Sequence, residues 1–221
     1  SSIETSSGIA VYNRFGSIDS LINQGSILSA NAYGESIYNG AFASVTSLVN
    51  GVTGEIIGGQ APIIGVDTIG GYGIDNAGNI GNITNSGLIT AYATRVGGAI
   101  DPTDQFGIAI LNQGTLGSLT NNAGGTILGE FVAITNTASG NITNIVNRNG
   151  GTISSSYYAI GNDGVIDRIE NAGSISGARD GISNTGTING ILNGGVITGN
   201  AEAGVLNFSS SGSAATRSEE H

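Results

Sequence analysis

The chain has 221 residues, 39 Gly, two Pro and no Cys, which excludes collagen, a disulfide scaffold and any thiolate metal site. Hydrophobic residues make up 38%, too many for plain disorder, and they are mostly Ile, Leu and Val, a bias toward strands over helices. The formal charge is −10 and all six basic residues are Arg, so the field repels DNA, RNA and anionic lipid.

In chain order, the first unit runs Val11-Tyr12-Asn13, then Ile18, Leu21 and Asn23, then Gly25 and Ile27. The second is Ile37-Tyr38-Asn39, then Val45, Leu48 and Asn50, then Gly54 and Ile56. The third is Ile74-Asp75-Asn76, then Ile80, Ile83 and Asn85, then Gly87 and Ile89. Next come Ile110-Leu111-Asn112, then Leu116, Leu119 and Asn121, then Gly125 and Ile127. The fifth has Ile134-Thr135-Asn136, then Ile142, Ile145 and Asn147, then Gly151 and Ile153. The sixth has Ile160-Gly161-Asn162, then Ile166, Ile169 and Asn171, then Gly173 and Ile175. The seventh is Ile182-Ser183-Asn184, then Ile188, Ile191 and Asn193, then Gly195 and Ile197, and Val205-Leu206-Asn207 begins an eighth.

One unit therefore repeats about seven and a half times without losing a submotif. Its apolar runs are too short, and its Gly and Asn too frequent, for a helix pair. Short strands separated by turns fit, each turning one or two aliphatic side chains inward. Three strands per unit close one triangular coil. The expected fold is an all-β, right-handed parallel β-helix of about 7–8 coils, stacked about 4.8 Å apart. Each coil buries four aliphatic side chains, worth roughly 1.5–3 kcal/mol apiece. On this reading Ile166→Asn destabilises far more than Ser155→Asn.

The Asn residues form two columns: Asn76, Asn112, Asn136, Asn162 and Asn184 in one, and Asn85, Asn121, Asn147, Asn171 and Asn193 in the other. Stacked amides are expected to hydrogen-bond from coil to coil and satisfy backbone groups at the corners. Asn and Gly are also expected to supply left-handed backbone there.

Two links between units are long. The insertions, about 58–72 and 91–106, occupy the same corner of consecutive coils and are expected side by side. They carry Tyr72, Tyr92, Arg95, Asp101, Asp104 and Phe106, the candidate binding residues, with Gln60 and Asp67. Residues 1–208 read as one β-helix domain and 209–221 as a flexible linker or expression-tag remnant, whose final His221 is set aside.

Catalytic machinery is sparse. The only His is terminal, and with no Cys and no Lys there is no triad and no imidazole metal site. The densest charge cluster, Asp163, Asp167, Arg168, Glu170, Arg179 and Asp180, reads as a solvated face. One copy of Gly-Gly-x-Gly-x-Asp at 70–75 reads as a glycine-rich turn, because calcium binding needs tandem copies. The outward column Thr84, Thr120, Val146, Glu170, Leu192 lacks the ordered Thr array of an ice-binding face. The expectation is a protein that is not an enzyme and carries no cofactor and no metal.

The run Asp180-Gly181-Ile182-Ser183-Asn184-Thr185-Gly186-Thr187-Ile188, continuing through Ile191, Asn193, Gly195 and Ile197, resembles the repeat of bacterial autotransporter passenger domains. The resemblance covers residues 8–207. It implies export from a Gram-negative cell through a C-terminal outer-membrane barrel, which this chain does not contain, and display at the cell surface. It also implies a structural or adhesive stalk whose partner is a host or bacterial surface ligand, or another copy of itself. The enzyme-bearing branch of such proteins needs a Gly-x-Ser-x-Gly elbow and a His; the elbow is absent and the single His, His221, is terminal and no candidate. The alternative is a β-helical protein that binds or cleaves polysaccharide.

Overall fold

The structure, a computed structural model, describes residues 1–6, 8–30, 34–59, 69–94 and 107–208. Three parallel sheets carry the fold, and the chain visits them in strict rotation. Sheet I holds Ser2–Thr5, Ser26–Ser29, Glu55–Gly58, Leu88–Ala91, Thr126–Gly129, Thr152–Ser155, Ser174–Gly177 and Val196–Gly199. Sheet II holds Val11–Asn13, Glu35–Asn39, Tyr72–Asn76, Ile108–Asn112, Val132–Asn136, Tyr158–Asn162, Asp180–Asn184 and Val205–Asn207. Sheet III holds Ser17–Asn23, Ser44–Asn50, Asn79–Asn85, Thr115–Asn121, Asn141–Asn147, Val165–Asn171, Thr187–Ile188 and Ile191–Asn193. This is a parallel β-helix with three strands per coil, and no helix occurs among the described residues.

The last two strands of sheet III lie end to end against the same neighbour, Val165–Asn171. Among the described residues sheet III therefore has seven levels where sheets I and II have eight.

Register explains why the sequence repeats. Ile142 pairs with Leu116 on one side and Ile166 on the other, and Ile145 with Leu119 and Ile169. All six side chains are fully buried in one continuous core that runs the length of the solenoid. A coil buries its apolar face only against the next coil, so like stacks on like. The sequence-expected outward column, Thr84, Thr120, Val146, Glu170 and Leu192, is a true register column. Ser155, in contrast, is half-buried and its Oγ is enclosed with no hydrogen-bond partner, so it is not a neutral outward position.

The two Asn columns are hydrogen-bonded ladders. In the first, each Nδ2 donates to the next Oδ1 from Asn13 through Asn39, Asn76, Asn112, Asn136, Asn162 and Asn184 to Asn207, over 2.6–3.0 Å. In the second, Asn23, Asn50, Asn85, Asn121, Asn147, Asn171 and Asn193 are linked the same way over 2.8–2.9 Å. The same amides reach backbone carbonyls of the following coil, as Asn121 does to Thr152 at 3.1 Å.

One expectation about these residues fails. Among the described residues only Gly has positive φ, at Gly8, Gly59, Gly107, Gly124 and Gly150. The ladder Asn residues sit at strand ends in ordinary extended backbone. Their side chains bind the corner, and their backbones do not turn it.

Candidate functional site

Side chains pointing away from the core differ between the three sheets, and sheet II is the one that concentrates chemistry. One outward column on it is Glu35, Tyr72, Ile108, Val132, Tyr158 and Asp180. A second begins Tyr12, Tyr38, Asp75, Leu111 and Thr135. Ile108, Leu111, Phe131 and Val132 form an apolar cluster separate from the core, with Tyr72, Tyr157 and Tyr158 packed against it.

Immediately before the first column lies the corner from sheet I to sheet II. Gly71, Gly107, Phe131, Tyr157 and Arg179 hold the same corner position in successive coils. Backbone bonds fix this register: Gly107 N–H to the Gly71 carbonyl at 3.2 Å, Phe131 to Gly107 at 3.1 Å, and Arg179 to Tyr157 at 3.0 Å. Gly107 has φ +73°, a conformation that a side chain disfavours, so the corner is bare in that coil. In the next coils the position carries large side chains that stack.

The Phe131 and Tyr157 rings stack with centroids 4.8 Å apart and 14° between planes, about one coil spacing. Tyr158 packs on Tyr157 at 4.1 Å. The Arg179 guanidinium lies 5.3 Å from the Tyr157 centroid and 5.8 Å from that of Tyr158. It also donates to the Tyr157 hydroxyl and bridges to Glu202 at 2.8 Å. Its charge is thereby held firmly on, with the Glu202 bond the main cause. Burial pushes the Tyr158 phenol up to about 12, so that hydroxyl stays neutral beside the Arg179 cation. Behind it, Asp180 is fully buried and accepts from the Ala203 N–H at 3.0 Å, while its Oδ2 lacks a hydrogen-bond partner. Burial raises its pKa.

The other end of sheet II is acidic. Burial, and secondarily the charge of Asp75, pushes the Glu35 carboxyl up to about 7, and its Oε2 is enclosed without a hydrogen-bond partner. Burial also raises Asp75, opposed by a 2.9 Å hydrogen bond from Gln113. The Tyr38 and Tyr72 phenols are raised by their own desolvation and then by these carboxylates.

The sequence-expected insertion residues fare unevenly. Arg95, Asp101, Asp104 and Phe106 lie outside the described residues, as do Gln60 and Asp67. Tyr72 is on a sheet II strand and not in a loop. Tyr92 is 38% exposed at the mouth of the second insertion, its N–H donating to Gly58 at 3.0 Å. The described roots of the two insertions do meet: Ala93–Thr94 pairs antiparallel with Ile69–Gly70. The Asn ladders named above stand at the other two corners, one at the ends of the sheet II strands and one at the ends of the sheet III strands.

The charge cluster of 163–180 is divided. Asp163 accepts from Thr185, Asp167 accepts from Asn189, and Arg168 pairs with Glu170 at 2.6 Å. Asp180 sits on sheet II and Arg179 at the corner just before it. Among the described residues no three acidic or His side chains gather as a metal site would need.

Phe131 and Tyr157 were not among the sequence-derived candidates, though a signal exists. Phe131, Tyr157 and Arg179 each fall four residues after the sheet I isoleucines Ile127, Ile153 and Ile175. Glu35 and Asp75 leave no such mark. No known family, curated protein or solved structure matches the chain.

Proposed function

We propose that the chain is a structural and adhesive segment of a bacterial surface protein, a β-helical stalk that makes its contacts through the outer face of sheet II. The observation that carries this reading is the stacked column Phe131, Tyr157 and Arg179, lined up at the corner from which both insertions leave. The half-buried Tyr157 and Tyr158, packed against the buried Phe131 and beside the fixed Arg179 cation, are residue types enriched at contact surfaces. The partner is a host or bacterial surface ligand, and export to the outer surface follows from the repeat's resemblance to passenger domains. In this reading the chain is not an enzyme.

The test is adhesion and aggregation of cells displaying the chain, comparing the unaltered protein with Tyr157→Ala/Arg179→Ala and with a deletion of 92–105. Loss of adhesion with folding retained supports the proposal. Unchanged adhesion in both removes it.

A second reading is favoured by the same aromatics and by the Glu35–Asp75 pair: a protein that binds or cleaves polysaccharide. Aromatic faces stack on sugar rings, and a carboxyl with raised pKa beside another carboxyl is what glycoside cleavage uses. Acidic and neutral polysaccharides, with an assay for new reducing ends, separate the two. Bond cleavage that Glu35→Gln abolishes establishes the second reading.

A further inference from the structure

Five Asn-Gly pairs occur in the chain, beginning at Asn39, Asn50, Asn149, Asn189 and Asn193. Asn is chemically labile, and most so before Gly, which has no side chain to keep its backbone nitrogen from the Asn side-chain carbon. That approach needs a Gly N–H free of hydrogen bonds and an Asn amide free to turn toward it.

The fold restrains four of the pairs. Asn39 and Asn50 are buried rungs of the two ladders, and Gly40 and Gly51 donate to the carbonyls of Asn13 and Asn23, both at 2.8 Å. Asn193 is exposed, but its Oδ1 accepts from Asn171 at 2.8 Å and Gly194 donates to the Asn171 carbonyl at 2.7 Å. Asn189 is tied through Nδ2 to Asp167 at 3.0 Å. The chain is also pinned on both sides of the Gly190 nitrogen: the Asn189 N–H donates to Ile166, and the Gly190 carbonyl accepts from Ile169.

Asn149 escapes because neighbouring coils turn differently. Residues 148–151 make the corner from sheet III to sheet I in the fifth coil, closed by the Gly151 N–H on the Arg148 carbonyl at 2.8 Å. Asn149 and Gly150 are the central residues of this turn, and Gly150 has the left-handed φ, +81°, that such a position can take. The fourth coil turns the same way at 122–125, and the Gly124 N–H donates to the Gly150 carbonyl at 3.0 Å. The sixth coil makes its corner with residues 172–173 alone. Its Ala172 and Ser174 take the carbonyls of Asn147 and Gly151, and its chain passes the tip of the turn by. Both neighbouring coils lie wholly within the described residues. Among those residues nothing bonds the Asn149 amide or the Gly150 N–H, and Arg148, Asn149 and Gly150 are all exposed.

We propose that Asn149 is a site of spontaneous deamidation. The Gly150 nitrogen gives its proton to hydroxide and bonds to the side-chain carbonyl carbon of Asn149. The bond from that carbon to Nδ2 breaks, ammonia leaves, and a succinimide ring closes. Water then opens the ring. Opening at the side-chain carbonyl gives an aspartate, and opening at the main-chain carbonyl gives an isoaspartate whose main chain runs through the former side chain. The net change is amide plus water to carboxylate plus ammonium. It sets a negative charge beside Arg148, and isoaspartate lengthens the turn that holds Gly124. The proposal is independent of what the outer face of sheet II binds.

The test ages the full chain in warm buffer at pH 8, folded and in urea, and maps deamidation by peptide mass spectrometry. In the folded protein position 149 is expected to convert at least about tenfold faster than 39, 50 and 193, which must open locally first, with 189 between. In urea the five sites are expected to react at similar rates. Isoaspartate-specific methylation labels the aged folded chain, and Asn149→Gln, whose carbonyl stands too far along the side chain for the same ring, removes most of that label. Amide exchange at Gly124 speeds up as the label accumulates. Folded conversion that is equal at the five sites, slowest at 149 or ordered as it is in urea overturns the proposal, as does a label that Asn149→Gln leaves intact.

Discussion

Asn121 donates through Nδ2 to the Oδ1 of Asn147 at 2.9 Å, and both side chains are buried. The same nitrogen contacts the carbonyls of Gly125 at 3.0 Å and Thr152 at 3.1 Å, and Oδ1 of Asn121 accepts from Asn85. One amide thus ties three consecutive coils together. Asn121→Ala removes these bonds and leaves Thr152 and Asn147 with a buried acceptor each. The expected cost is about 1–3 kcal/mol, read from a urea midpoint. Asn121→Asp replaces the donor by a second acceptor facing Asn147, and its cost exceeds that of Ala at pH 8. A midpoint unchanged by either substitution removes the ladder from the energetics.

Adjacent residues on a sheet III strand separate core from surface. Ile142 is fully buried and Thr143 is exposed. Ile142→Asn leaves a cavity and an unpaired amide, for an expected loss of about 3–5 kcal/mol. Thr143→Asn is expected within about 0.5 kcal/mol of the parent. In a solenoid the damage is local first, so amide exchange in the strands Thr115–Asn121 and Val165–Asn171 accelerates before that in distant coils.

The core and ladders were legible in the sequence because stacking demands one residue type per column. Leu116 stands between Ile80 and Ile142 in its column, and the change from Ile to Leu costs the pattern nothing because both are aliphatic. The corner column was not legible, because stacking there demands only a flat or extended side chain. Phe131, Tyr157 and Arg179 satisfy that with three residue types. Glu35 and Asp75 lie in adjacent columns of neighbouring coils, but an insertion separates their residue numbers by 40. Only the pairing of Glu35 with Tyr72 reveals them. The backbone role expected of Asn was misplaced for a related reason: residue type fixes what a side chain bonds more firmly than where the chain turns.

Arg179 separates binding from stability. Its bridge to Glu202 joins side chains 35% and 43% exposed, and such surface pairs are worth about 0–1 kcal/mol. Arg179→Ala is therefore expected to lower the melting temperature by only about 1–3 °C. Adhesion by cells displaying the variant falls in parallel with Tyr157→Ala if the stacked column is the contact. A large loss of stability with adhesion intact assigns Arg179 to the scaffold instead.

Glu35 sets the pH dependence of the N-terminal coils. Its carboxyl is raised from 4.5 to about 7 by burial and by Asp75, so the folded state holds a proton that the unfolded chain releases. Between pH 4.5 and 7 the folded chain binds more protons, and stability falls as pH rises through that window. Asp75, raised in the same direction, adds to the slope. Above pH 7 the enclosed Oε2 carries charge with no hydrogen-bond donor. Glu35→Gln removes that penalty. It is expected to stabilise the protein by on the order of 1 kcal/mol at pH 8, after allowing for solvent screening, and to change little at pH 4. Urea midpoints of both proteins at pH 4, 6 and 8 measure this. A Gln variant that shows the parent's full loss of stability from pH 4 to 8 places the titrating group elsewhere.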